Sequence, residues 1–283
     1  MCARVGRPAI PNPDYPYEHS VLLEDMEYAR IHGASIIHNC SYDYSFDCGN
    51  EMAIDIANKN KRLFPLALVT STASLETKKE NYYNYLLDKG VKGFIYNYGS
   101  AICTTLNPKH LSKMCESLIN YKKPLIISGL VTNDNILKVE ELASAYKELP
   151  IILKGTSWGI TRNLMHVLDN NENVYYDITS QHSNNMLEIT KEHFGIHRAL
   201  YGTAWPEKSM GTMKCFIEYA DLSEEEKNMV AYKNACRLYG IDEEDLELYD
   251  EDNCMLDEIA KEADEGKPIS VPVIDSHAHV KGT

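Results

Sequence analysis

The residues with the most chemical content lie near the C-terminus, in Ile274-Asp275-Ser276-His277-Ala278-His279. In a strand, His277 and His279 point to the same face, because side-chain direction repeats every two residues. Two imidazoles side by side at the C-terminal mouth of a barrel strand can chelate one divalent metal such as zinc or manganese. Lys154 ends another apolar run (PIILK) and is placed to bind a substrate carboxylate. Asp177, on the run VYYDIT, and His182, just beyond it, are the candidates for moving protons. His38 and Cys40 end the run ASIIHNC, and Glu207 follows Trp205-Pro206. Each of these three has an ordinary reading as well: a hydrogen-bonded mouth histidine, a packed thiol and a solvated carboxylate.

These groups need elements to hold them. Short β-branched runs alternate with helical patterns at regular spacing, which is the signature of repeated βα units and a parallel sheet. The expected strands are Ala34–Cys40, Leu63–Val69, Gly93–Tyr98, Pro124–Ser128, Pro150–Lys154, Val174–Thr179 and Arg198–Thr203. Helices are expected over 19–32, 50–61, 75–90, 108–121, 135–148, 161–169, 183–193 and 223–239. A closed parallel barrel needs an eighth strand, since a gap leaves two unpaired edges. Val271–Val280 is the candidate, and its place at the far end of the chain is unusual.

The hexapeptide with its buried-looking strand resembles the first strand of the amidohydrolase-related superfamily, nearest to the branch of aminocarboxymuconate-semialdehyde decarboxylase-like enzymes and related metal-dependent hydrolases. Cys48–Val69, Leu149–Gly159, Asn173–Ser180, Arg198–Pro206 and Asn234–Gly240 resemble, in the correct order, that family's third, sixth, seventh and eighth strand regions and its closing helix. The resemblance implies a (β/α)8 TIM barrel with a metal at the mouth. It also exposes departures. The metal-ligand histidines that end the family's fifth and sixth strands align with Ser128 and Gly155, and the eighth-strand carboxylate aligns with Ala204. A catalytic zinc takes about three protein ligands plus an open position, so two histidines hold it poorly. Lys154 then has a second possible task, filling the charge role of a lost metal.

The family's first strand opens the domain, whereas here it comes last. Three arrangements account for that order: a circularly permuted barrel, the start of a second amidohydrolase domain, or strand exchange with a neighbouring subunit. The permuted reading assigns strands two to eight to residues 1–240, an acidic helix or linker to 241–270, and strand one to 271–283. It predicts that 271–280 lies between strands 34–40 and 198–203.

Composition sets further bounds. The 283 residues suit one barrel, which takes about 250. Thirteen acids and two lysines fall in 241–269, so most of the net charge of −14 sits there. No basic face suggests nucleic-acid binding, no run suggests a membrane span, and the Pro-rich N-terminus lacks a signal-peptide core, so the expected location is the cytoplasm. The eight cysteines show no Cys-x-x-Cys spacing, against a zinc ribbon or redox motif. Two functions fit: a barrel with a depleted metal site that binds a small polar or carboxylated ligand or pairs with an active paralogue, or a working metal-dependent hydrolase or decarboxylase. A homo-oligomer is compatible with both.

Overall fold

Runs that are apolar at nearly every position form strands buried on both faces, as a parallel sheet under helices requires. Nine follow in chain order: β1 (Cys2–Val5), β2 (Ala34–His38), β3 (Leu63–Pro65), β4 (Ala67–Leu68), β5 (Phe94–Asn97), β6 (Leu125–Ser128), β7 (Ile151–Leu153), β8 (Val174–Asp177) and β9 (Ala199–Leu200). All pairings are parallel and between sequence neighbours, in the orders β1-β2-β3 and β4-β5-β6-β7-β8-β9. β3 and β4 are one strand parted at Leu66, so the chain lays down the strand order of a (β/α)8 barrel. The structure, a computed structural model, describes residues 2–130, 132–181 and 183–246. They belong to a compact unit running to Tyr249; the unit Asp250–Thr283 lies outside the described residues, and so do Val271–Val280, His277, His279 and also His182.

One expectation is corrected here. The place beside Ala34–His38 that the sequence reading gave to Val271–Val280 is taken by Cys2–Val5, paired Cys2↔Ser35 through Val5↔His38. The reason is the alternation of these residues. Ala3 and Val5 are fully buried against Leu22 and Met26 of the helix His19–Tyr28, while Arg4 between them faces the other way. The N-terminus is thus the first strand itself, and no permutation is needed to fill that position. Helices also differ in detail. Residues 75–90 and 135–148 each break into two short helices, and Met210–Glu218 forms a helix not expected from the sequence.

The strands enclose one cluster and carry another on their backs. Ile37, Leu66, Leu68, Ile95, Ile126, Ile152, Tyr175 and Leu200 pack together inside the ring. Leu238 and Tyr239 of the helix Asn234–Tyr239 join them. That helix plugs the N-terminal end, since Lys123, just before β6, donates to the Tyr239 carbonyl at 2.6 Å. The alternate residues Phe94, Tyr96, Leu125, Ile127, Ile151, Leu153, Val174 and Tyr176 pack outward against the helices. Each fully buried side chain of this size contributes roughly 1.5–3 kcal/mol relative to exposure.

The ladder is interrupted at two seams. Between β2 and β4 the rung at Leu68 is supplied by a side chain. Asn50, fully buried on the helix Phe46–Asn58, donates from Nδ2 to the Leu68 carbonyl (2.8 Å) and accepts the Leu68 N–H at Oδ1 (2.9 Å). Its amide thus stands in for a strand where β2 has turned away into the helix Cys40–Asp43. At the other seam β9 is only two residues long. Tyr201 N–H, the next donor, goes to the Val230 carbonyl (2.9 Å) in a π-helical turn, Met229–Lys233. β1 reaches this side through Arg4 N–H to the Trp205 carbonyl at 3.2 Å. Among the described residues, no ladder joins β9 to β1.

A buried arginine braces the same region. Arg198 spans the C-terminal end of the helix Thr161–Asn170, donating to the carbonyls of Asn171 (2.5 Å), Leu168 (3.3 Å) and Val174. A cation there satisfies terminal carbonyls and complements the helix dipole. Among the described residues, no helix is long and apolar enough to cross a membrane.

Candidate functional site

The inward positions at the C-terminal ends of the strands follow from parity. Residues two beyond the interior set face the same way, which gives Asn39, Thr70, Asn97, Ser128, Lys154, Asp177 and Gly202. On β1 the inward residue is Arg4, level with the interior Ile37 and so one layer below the others, and its side chain joins them at the mouth through Tyr42 and Glu207. The ring therefore holds two cations, one carboxylate and otherwise neutral hydroxyls, amides and glycine.

Lys154 and Asp177, both sequence candidates, are brought together on adjacent strands. They line a small void with Ile126, Ile152, Leu200, Tyr201 and Tyr239. Its volume of about 20 Å³ is room for one water. Asp177 is 8% exposed, and its Oδ1 accepts the Gly155 N–H at 3.0 Å. Burial pushes its carboxyl above the ordinary value, while the Gly155 N–H and the Lys154 charge pull the other way. Gly202 leaves room for the Thr179 hydroxyl beside this carboxyl: a Cβ there would lie 2.3 Å from Thr179 Oγ1, while Asp177 is at contact distance, 3.4 Å. Gly155 has φ +73°, the left-handed region where a histidine would be strained. That backbone accounts for glycine at one of the positions where the resemblance expects a metal ligand.

The raised Asp177 pKa has a sign for stability. A carboxyl whose folded pKa exceeds its unfolded value stabilises the fold while protonated, and that contribution fades as pH rises through the folded value. Asp177→Asn keeps an acceptor for Gly155 without the charge. Urea unfolding at a series of pH values is expected to show wild type losing stability relative to this variant as pH climbs above 3.8, the ordinary aspartate value. An asparagine variant that becomes the less stable of the two as pH rises would refute the assignment.

The remaining ring members bond to one another or to the rim. Ser128 Oγ donates to Asn97 Oδ1 at 3.0 Å. Asn39 Nδ2 donates to the Gly6 carbonyl at 2.6 Å. Thr70 and Thr72 both donate to Glu76 Oε1 at 2.6 Å. Arg4 lies over the Tyr42 ring, 4.9 Å from its centroid, and its Nη1 pairs with Glu207 at 3.5 Å.

The other sequence candidates sit elsewhere. His38 pairs in register with Val5, on the outward parity, and its ring packs against Gly6, where a Cβ would be 2.1 Å from Nε2. Its Nδ1 accepts the Cys40 N–H at 3.1 Å, and burial lowers its pKa. Cys40 begins a one-turn helix. Glu207 is exposed at the rim, and Ala204, with φ +55°, accepts the Glu207 N–H in a turn. Arg4 was not a sequence candidate. Its signal was available: two buried small apolar residues flanking a charge, the alternation of a short strand.

The described ring does not fit a divalent metal. Zinc and manganese take imidazole, thiolate or carboxylate donors, and here one carboxylate stands beside an ammonium. Among the described residues, no group of three or more His, Cys, Asp or Glu is placed to hold an ion.

Comparison with known proteins places this barrel. No curated protein matches the chain significantly. Several solved structures share the fold. An uncharacterized TIM-barrel protein from Bordetella bronchiseptica superposes with a TM-score of 0.65 at 13% identity, covering 85% of this chain and 98% of that one. A probable 2-pyrone-4,6-dicarboxylic acid hydrolase from Acinetobacter baumannii, with citric acid bound, gives 0.63 at 13%, covering 84% and 97%. The 5-carboxyvanillate decarboxylase from Novosphingobium aromaticivorans, complexed with manganese and a nitrobenzoic acid, gives 0.62 at 13%, covering 78% and 79%. The amidohydrolase family model matches residues 50–241, from the helix that carries Asn50 to the end of the closing helix. The chain belongs to the amidohydrolase family.

Proposed function

We propose that this barrel binds a small carboxylated molecule at its mouth, with Lys154 receiving the carboxylate and Asp177 beside it, and that its metal site is depleted. The observation that carries this reading is the ring itself: Ser128, Gly155 and Ala204 stand where the family's metal ligands are expected, and a lysine faces the interior next to a buried carboxyl. The ligand class agrees with the citric acid and nitrobenzoic acid bound by two structural neighbours. A metal-free reaction would use Asp177, and with it His182, to move a proton while Lys154 offsets negative charge. Pairing with an active paralogue, or a homo-oligomer, is compatible with the same depleted mouth.

A second reading is a working metal-dependent hydrolase or decarboxylase. It is favoured by the manganese in the carboxyvanillate decarboxylase and by the intact His277-x-His279, carried beyond the acidic stretch 241–270. Metal content and chelation separate the two readings. Titration calorimetry with benzoate is expected to give the same affinity with and without EDTA, and elemental analysis is expected to find well under one zinc or manganese per chain. Stoichiometric metal that disappears in His277→Ala, together with binding lost on chelation, would establish the second reading in its place.

A further inference from the structure

The mismatch between this mouth and a divalent ion leaves a question of charge. A metal at the mouth of such a barrel supplies positive charge to an anionic ligand, and something must supply it here. We propose that Arg4 does: it takes over the metal's charge role and holds a second anionic group of the ligand whose first is held by Lys154. This rests on the reading of Lys154 given above and adds a residue to it.

Three observations lead to Arg4. Its register against Ile37 gives it the interior face of the first strand, where a family member would present its histidines. Its guanidinium is positioned at the mouth, since both partners come from βα connections at that end: Tyr42 from the turn after β2, and Glu207 from the loop after β9. Its side chain is 41% exposed, so an incoming ligand can reach it.

The pairing with Glu207 makes this an exchangeable site. At 3.5 Å, with the two side chains 41% and 53% exposed, it is a solvent-screened contact of the kind that adds little stability. A ligand carboxylate can replace it with a bidentate, charge-assisted contact, for which the planar guanidinium is suited. Glu207 then acts as an internal counter-ion that keeps Arg4 in place over Tyr42 when no ligand is present. Lys154 lies across the ring on β7, with β8 and β9 between it and β1. A ligand bridging both cations therefore needs two anionic groups held apart on a small rigid body.

Benzoate and isophthalate, which differ by one carboxylate on the same ring, test this. Titration calorimetry in EDTA is expected to show isophthalate binding about tenfold or more tightly than benzoate to the wild-type chain. Arg4→Met should remove that advantage and weaken benzoate far less than isophthalate, Arg4→Lys should keep part of it, and Glu207→Gln should raise isophthalate affinity a few fold. Circular dichroism and thermal unfolding of each variant establish that the barrel is intact. Arg4→Met binding isophthalate as wild type does, or losing benzoate and isophthalate equally, would overturn the role of Arg4. Loss of both ligands in Lys154→Met, with no selective effect at Arg4, would leave the Lys154 reading standing without this one. Unchanged benzoate binding in Lys154→Met would count against the Lys154 reading instead.

Discussion

Asn50→Leu is expected to destabilise the barrel by about 3–5 kcal/mol, more than any other single polar-to-apolar change described above. Leucine nearly matches the volume but fills none of the roles. The Leu68 N–H and carbonyl would both lose their partner, and each orphaned buried group costs about 1–3 kcal/mol. Two further contacts go with them: Tyr82 Oη at 3.2 Å and Ser41 Oγ at 3.3 Å. Asn50→Asp should be comparably harmful, because a carboxylate cannot donate to the Leu68 carbonyl and would carry a buried charge. Urea unfolding measures both variants. A leucine variant within 1 kcal/mol of wild type would mean that water or a relaxed β2 takes over the rung.

Lys154→Met is expected to weaken benzoate binding by roughly 10- to 100-fold, the equivalent of a hydrogen bond to a charged group worth about 1.5–3 kcal/mol. Methionine keeps the length of the stem, and Lys154 is only half-buried, so the unfolding midpoint should move little. The substitution also leaves a mark on Asp177. The Lys154 charge draws that carboxyl downward against burial, so its removal should push the Asp177 pKa higher and carry the pH-dependent loss of stability to higher pH. Benzoate affinity equal to wild type would sink the anion site. An unmoved pH profile would show that the two groups are not coupled.

Much of the barrel was legible because parallel strands buried on both faces are written as apolar runs. PLIIS, PIILK and VYYDIT each begin within a residue or two of the observed strand. Lys154 and Asp177 were legible for the same reason, since a polar residue ending such a run falls on a predictable face. Arg4 was not, because β1 is four residues long with a charge in its middle, and a histidine pair elsewhere offered a more conspicuous strand. Asn50 was hidden differently. It is one polar residue on an amphipathic helix, and its meaning lies in the backbone of Leu68, 18 residues away. Thr70 and Asn97 join the mouth only through register, which a single chain does not display. The helix Met210–Glu218 starts at Ser209, an N-cap residue type whose side chain makes no capping bond here.

The two interruptions of the ladder divide the ring into arcs of three and six pairing segments, which share the one strand parted at Leu66. Cutting either arc internally breaks several backbone hydrogen bonds at once. Parting one from the other gives up fewer: the Asn50 side-chain rung with the Leu66–Ile36 and Lys92–Pro65 backbone bonds at one seam, and the Arg4–Trp205 and Trp205–Asp25 bonds at the other, besides the apolar packing between them. Sub-global opening follows the line of fewest bonds, so the seams are where the molecule would breathe. Arg4 and Glu207 face each other across one seam, on β1 and on the loop after β9, and so a ligand that engages Arg4 bears directly on how the arcs are held together.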